Sequence, residues 1–235
     1  MSFLKAEWRK LILVNYEIDE NLLAEYIPKG TEIEKWNGVT YVSLVGFMFK
    51  NTKLLGIKIP FHTNFEEVNL RFYVKYKEDN NWKRGVVFIK EIVPKMALTL
   101  VANSIYKENY ETMPMSHKWE ENSDSRLVEY EWYCKNEQQK IKVISELTSR
   151  EIKENSEEEF ITEHYWGYTK VNEKTTYEYE VTHPKWKYYP IKNYEISVNF
   201  GLVYGEKFKQ LDKEEPKSIM LMEGSEITVE NKRKI

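Results

Sequence analysis

The sequence predicts a mainly β protein, a β-rich α+β fold, and three observations carry that reading. Gly38 to Lys50 (GVTYVSLVGFMFK) is β-branched and aromatic throughout and apolar on both faces, the pattern of a central strand buried from both sides. Phe65 to Tyr76 alternates: Val68, Leu70, Phe72, Val74 and Tyr76 share one face, while Glu67, Asn69, Arg71, Tyr73 and Lys75 share the other. Aromatic residues make up 14% of the chain and glycine and proline are scarce, which excludes a disordered or low-complexity protein.

Taken in order, the elements follow from local chemistry. Asp19 is placed to cap a short helix running to Tyr26 and stopped by Pro28. The 38–50 and 65–76 strands come next. A polar hairpin loop, Lys77–Asn81, then leads into a run opened by Arg84-Gly85 and continuing to Val93. Pro94 suits a first helical position, and Met96, Ala97, Leu100, Val101 and Ile105 recur at helical spacing between Lys95 and Tyr106. Further strands are predicted at Arg126–Cys134, Lys140–Leu147, Thr175–Thr182, Tyr194–Val203, Lys217–Met222 and Glu226–Glu230. Short helices are predicted from Ser156, where Glu157, Glu158 and Glu159 suit the positive end of a helix dipole, and over Glu206–Leu211. There is no linker of Gly, Ser and Pro and no internal repeat, so residues 1–235 read as one domain.

Charge and targeting narrow the function classes. With 35 Lys+Arg against 38 Asp+Glu, the net charge of −3 argues against nucleic acid or an anionic membrane surface as partner. The apolar stretch Leu11–Val14 is too short for a signal peptide, and nothing approaches a membrane span, so the expected location is cytoplasmic. A single Cys forbids an internal disulfide and fits a reducing compartment. His62, His117, His164 and His183 form no local ligand pair, so neither a metal nor a cofactor is expected.

The segment NYEIDENLLAEYIP (15–28) resembles the Tyr-x-x-Asp…Leu…Pro opening of the acetoacetate-decarboxylase-like superfamily. The runs WRKLILVNY (8–16), YVSLVGF (41–47), IPFHTNFEEVNLRFYV (59–74), RGVVFIKEIVPK (84–95), EHYWGYT (163–169), THPKW (182–186) and EGS (223–225) resemble its YqjF-like branch, a domain of unknown function. The resemblance implies a mostly antiparallel, barrel- or cone-like sheet enclosing a pocket, wide enough at this size for a small ligand. The superfamily's best-known chemistry is decarboxylation through a Schiff-base lysine, which the desolvated or cation-flanked lysine of acetoacetate decarboxylase exemplifies. Its Gly-x-Pro-Lys-Lys run has no counterpart here. The matching stretch, Ser104 to Pro114, holds Asn109, Tyr110 and Glu111 at that register, and Lys107 stands beside an acid. The acid preceding the lysine segment in the decarboxylases is matched by Glu67, or by Glu66 one position earlier.

The row Glu67, Asn69, Arg71, Tyr73 is the leading candidate site. It reads either as a polar pocket wall, with Arg71 holding a carboxylate by two hydrogen bonds, or as a buried Glu67–Arg71 pair that fixes register, and the pair is favoured slightly. His62 precedes the strand, Tyr106 and Tyr110 follow the helix, and His164, Tyr165 and Trp166 offer an amphipathic lining, completing the candidate pocket. The functional expectation is a small-molecule-binding β-barrel for an organic acid, without Schiff-base chemistry. The alternatives are a decarboxylase or related carbon-acid lyase using a relocated lysine such as Lys90 or Lys107, and a non-catalytic interaction or assembly protein.

Overall fold

The computed structural model describes residues 2–105 and 107–235. Strands β1 (Leu4–Glu17), β2 (Thr31–Ile33), β3 (Tyr41–Leu54), β4 (Phe65–Glu78) and β5 (Asn81–Val93) precede helix α1 (Met96–Ile105) and β6 (Tyr110–Thr112). Next come β7 (Met115–Glu121), β8 (Arg126–Cys134), β9 (Glu137–Ser145), β10 (Arg150–Glu151) and helix α2 (Glu157–Thr162). The chain continues through β11 (Trp166–Asn172), β12 (Thr175–Thr182), β13 (Lys187–Tyr189), β14 (Ile191–Ser197), helix α3 (Phe200–Tyr204), β15 (Ser218–Val229) and β16 (Arg233–Lys234). Two 3-10 helices, Glu20–Tyr26 and Glu206–Lys213, are also present among the described residues.

Among the described residues twelve strands form one large sheet, and β14-β9-β8-β7 form a second. The ladder of the large sheet returns on itself: β15-β1-β3-β4-β5-β11-β12 leads back to β15 through Val181↔Val229 and Thr182↔Thr228. The sheet is mixed rather than uniformly antiparallel, because β5 pairs in parallel with both β6 and β11. The crossover through α1 brings the chain back alongside β5 in the same direction, and a hairpin cannot do that.

Alternation along the strands separates two cores. Val68, Leu70, Phe72 and Val74 of β4 and Val42 and Leu44 of β3 pack against Val128, Tyr130, Trp132, Ile141 and Val143 of the smaller sheet. The opposite faces, through Val45, Phe47, Phe49, Phe65 and Tyr73, join Leu11, Leu13, Trp186, Met220 and Met222. The doubly buried reading of β3 therefore holds. Gly46 allows the two sheets to approach: a Cβ there would lie 2.5 Å from Ile141 Cδ1.

Local signals held where neighbours decide the outcome. Asp19 accepts from the backbone N–H of Asn21, and Ser156 from that of Glu159, as N-caps do. The β4–β5 hairpin is tighter than expected: both strands extend to the two turn residues Asp79 and Asn80, which are left-handed at φ 47° and 67°. Three expectations are corrected. The predicted strand Tyr194–Val203 stops at Ser197, and Asn199 caps α3. The separate strands Lys217–Met222 and Glu226–Glu230 are one strand, β15, carried past Gly224 at φ 79°, where a Cβ would meet the Trp8 carbonyl oxygen at 2.0 Å. The Lys140–Leu147 strand starts earlier, at Glu137, after the left-handed pair Lys135-Asn136.

Candidate functional site

The second core encloses a cavity of about 210 Å³. Strands β3, β4 and β5 contribute Phe47, Phe65 and Val86 to its lining, α1 contributes Leu98 and Val101, and Trp166, Val181 and Trp186 line it as well. Against this apolar lining stand a few polar groups, which is the usual composition of a ligand site.

Those polar groups come from separated segments. Glu67 and Arg71 lie on β4, Glu91 on β5, Glu108 on the connection after α1, Tyr110 at the start of β6, and His164 and His183 on either side of the β11–β12 hairpin. Register explains the first three: Asn69 pairs with Glu91, placing Glu67, Asn69 and Glu91 on one face, and a bulge between Leu70 and Arg71 resets the ladder so that Arg71 opposes Phe88. Glu67 is only 2% exposed; its Oε1 accepts from Asn69 Nδ2 at 3.0 Å and its Oε2 from the Tyr110 hydroxyl at 3.3 Å. Glu108 Oε1 accepts from Thr169 Oγ1 at 2.6 Å and from the Tyr179 hydroxyl at 3.0 Å. Gly167 makes room for that tyrosine, since a Cβ there would lie 2.2 Å from Tyr179 Cζ.

Burial dominates the electrostatics. It pushes Glu67 up to about 7, with the charge on Glu108 adding to the rise and hydrogen bonds from Asn69 and Tyr110 opposing it. Burial likewise pushes Glu108 up to about 7, against the bonds from Thr169 and Tyr179. Glu91 is driven well above the usual carboxylate range by burial and by repulsion from Glu108 and Glu67. Near neutral pH Glu91 therefore keeps its proton and Glu67 and Glu108 are partly protonated, where isolated carboxyls would be ionised. His164 goes the other way: burial lowers it to about 4 although Nε2 lies 3.0 Å from Glu34 Oε2. The contact is thus a hydrogen bond from a neutral imidazole to a carboxylate rather than an ion pair. Nδ1 is left as a buried acceptor without a partner.

The Glu67–Arg71 pair is not formed. The Glu67 oxygens take Asn69 and Tyr110, and Arg71 acts on Glu67 only at longer range. Arg71 is 9% exposed, its Nε has no hydrogen-bond partner, and its guanidinium carbon sits 5.7 Å from the centre of the Tyr73 ring.

Six of the residues predicted from sequence, His62, Glu67, Arg71, Tyr110, His164 and Trp166, line the cavity together. Three others do not. Asn69 lies behind Glu67 and orients it. The Tyr73 hydroxyl turns to Ser43 Oγ at 2.6 Å, in a buried chain continuing to Asn15; Ser43 opposes Arg71 on β3 and so lies diagonal to Tyr73 on the same face. Tyr165 sends its hydroxyl to Glu163. Tyr106 lies outside the described residues. Glu91, Glu108, Tyr179 and His183 escaped the sequence reading. The Glu91 position within an alternating strand was visible, but nothing local announced that its face is the pocket face. Among the described residues no lysine lines the cavity: Lys90 Nζ bonds Glu111 Oε2 at 2.7 Å and the Val203 carbonyl at 2.5 Å, and Lys107 is exposed. No group of three or more His, Cys, Asp or Glu among the described residues is arranged to hold a metal ion. No helix among them is long and apolar enough to cross a membrane.

Comparison with solved structures returns the same architecture. Acetoacetate decarboxylase from Legionella pneumophila superposes with a TM-score of 0.68 over 99% of this chain and 86% of that one, at 12% identity. An acetoacetate decarboxylase-like enzyme from Sphingomonas wittichii RW1 gives 0.67 over 100% and 93%, at 9% identity. The enduracididine biosynthesis enzyme MppR, complexed with the condensation product of pyruvate and imidazole 4-carboxaldehyde, gives 0.68 over 100% and 90%, also at 9% identity. At these identities the likeness is one of fold. In sequence, the chain is 27% identical over 202 residues to the uncharacterized protein YqjF of Bacillus subtilis (strain 168), covering 83% of this chain and 78% of that protein. The model of the family DUF2071, described as an uncharacterized conserved protein, matches residues 5–226. The chain therefore belongs to the DUF2071 family, built on the acetoacetate-decarboxylase-like fold.

Proposed function

We propose that this protein binds a small organic acid with an apolar body in the cavity, without forming an imine on lysine. Arg71 carries the reading. A buried guanidinium with no counter-ion is costly, and a ligand carboxylate would supply the bidentate acceptor that Glu67 does not. The apolar wall of Trp8, Phe47, Phe49 and Phe65 suits a branched or aromatic body. The relocated-lysine alternative finds no support, since Lys90 and Lys107 lie away from the cavity. The buried free thiol of Cys134 suits a reducing, cytoplasmic setting.

The test is a thermal-shift screen with 4-methylpentanoate, phenylacetate and 4-methyl-2-oxopentanoate, each beside its neutral amide. The acids should raise the melting temperature and the amides should not. Arg71→Met should abolish the shift while melting close to the parent when ligand-free. A shift that survives Arg71→Met, or no shift from any acid, refutes the reading; a strongly destabilised Arg71→Met would restore the structural role.

A further inference from the structure

We propose that the cavity is catalytic: it moves a proton at the carbon next to the carbonyl of a 2-oxo acid, with Glu67 as base and Glu91 as hydrogen donor to the carbonyl oxygen. The proposal rests on Arg71 holding the ligand carboxylate. Buried acids alone make no site, but here other polar atoms in the same cavity lack partners. They are Arg71 Nε on a residue 9% exposed, His164 Nδ1 on one 8% exposed and Glu91 Oε2 on one 3% exposed, together with Thr52 Oγ1 and Trp8 Nε1. Five unpartnered, buried polar atoms around one cavity, three of them on Arg71, Glu91 and His164, are the complement of a polar ligand.

The roles follow from the hydrogen bonds. Glu67 receives two donors, Asn69 Nδ2 and the Tyr110 hydroxyl, and both stabilise its carboxylate form. Glu91 has only the shared Tyr110 hydroxyl, whose one proton is already directed to Glu67. Glu91 therefore keeps its proton and Glu67 gives its own up first. A base that ionises near 7, close to a carboxyl held neutral in an apolar site, is the division of labour that proton transfer at carbon requires.

The step balances without a cofactor. The Glu67 carboxylate takes the proton from C3, and the C–H pair becomes the C2–C3 double bond. The carbonyl π pair moves to oxygen, which takes the Glu91 proton and gives the enol. Reversal returns both protons. Nothing is oxidised, reduced or expelled, and the cavity provides the two proton carriers and an anchor for the carboxylate.

The experiment follows exchange of the C3 protons of 4-methyl-2-oxopentanoate in D2O by NMR, with the full chain near neutral pD and binding measured in parallel by thermal shift. Exchange should exceed the buffer rate and rise with pH through about 7, as Glu67 ionises. Glu67→Gln should cut it at least about 100-fold while still binding, since a general base contributes ~10²–10⁴-fold. Glu91→Leu should also slow exchange at saturating ligand. Binding without exchange overturns the proposal and leaves the acid-binding reading intact; no binding overturns both. Exchange undiminished in Glu67→Gln refutes the assignment of the base. Trapping of a lysine adduct by borohydride, read by intact mass, would move the chemistry to an imine and refute it equally.

Discussion

Replacing Glu67 by Gln should stabilise the protein at alkaline pH and change little in acid. A glutamate that titrates near 4.5 in the open chain is raised to about 7 in the fold by burial. The folded state then binds the proton more tightly, so the stability linked to this group is fully present below about 4.5 and lost as pH rises through about 7. At ~1.4 kcal/mol per pH unit, that interval amounts to about 3 kcal/mol, shared in part with Glu91 and Glu108 because the three repel one another. Glutamine mimics the protonated form: its carbonyl oxygen can still accept from Asn69 Nδ2, and its amide can donate to the Tyr110 oxygen while that hydroxyl turns to Glu91. Urea unfolding of parent and variant at pH 5 and pH 8 measures the effect. The variant should match the parent within ~1 kcal/mol at pH 5 and exceed it by about 3 kcal/mol at pH 8. His164 contributes a slope of opposite sign below about 6.5, and this cancels in the difference. Equal differences at the two pH values would refute the buried, proton-holding cluster.

Two further outcomes test the surrounding structure. Phe72→Ala should cost about 3–5 kcal/mol in denaturant unfolding, because Phe72 is fully buried between the two sheets and its removal leaves a cavity; an unchanged midpoint would mean that the faces of β4 are reversed. The imidazole of His164 should stay neutral down to about pH 4, so its NMR signals should move there rather than near 6.5, and titration at the ordinary value would show that the ring meets water.

Much of this protein was readable without coordinates because its signals are local. The alternation from Phe65 to Tyr76 separates the faces of β4, Asp19 and Ser156 announce two helix starts, and the β4–β5 hairpin followed by α1 lies where periodicity and turn chemistry place it. Each depends on residues within a few positions of one another, so spacing suffices. Runs along the whole chain likewise pointed to the family.

The site is a different matter. That Glu67 meets Tyr110, that Glu91 joins their face, and that Glu108 is fixed by Thr169 and Tyr179 are consequences of strand register and of the ring closing through β11 and β12. The same alternation that put Glu67 and Arg71 on one side of a strand could not say whether they bond. The bulge after Leu70 and the donors arriving from Asn69 and the far connection leave Arg71 unpaired. A hydrogen bond is settled within a few tenths of an ångström, whereas spacing along the chain locates a side chain only to one face of its strand. Only the three-dimensional register could bring Arg71 and the three acids Glu67, Glu91 and Glu108 from separate segments to one cavity.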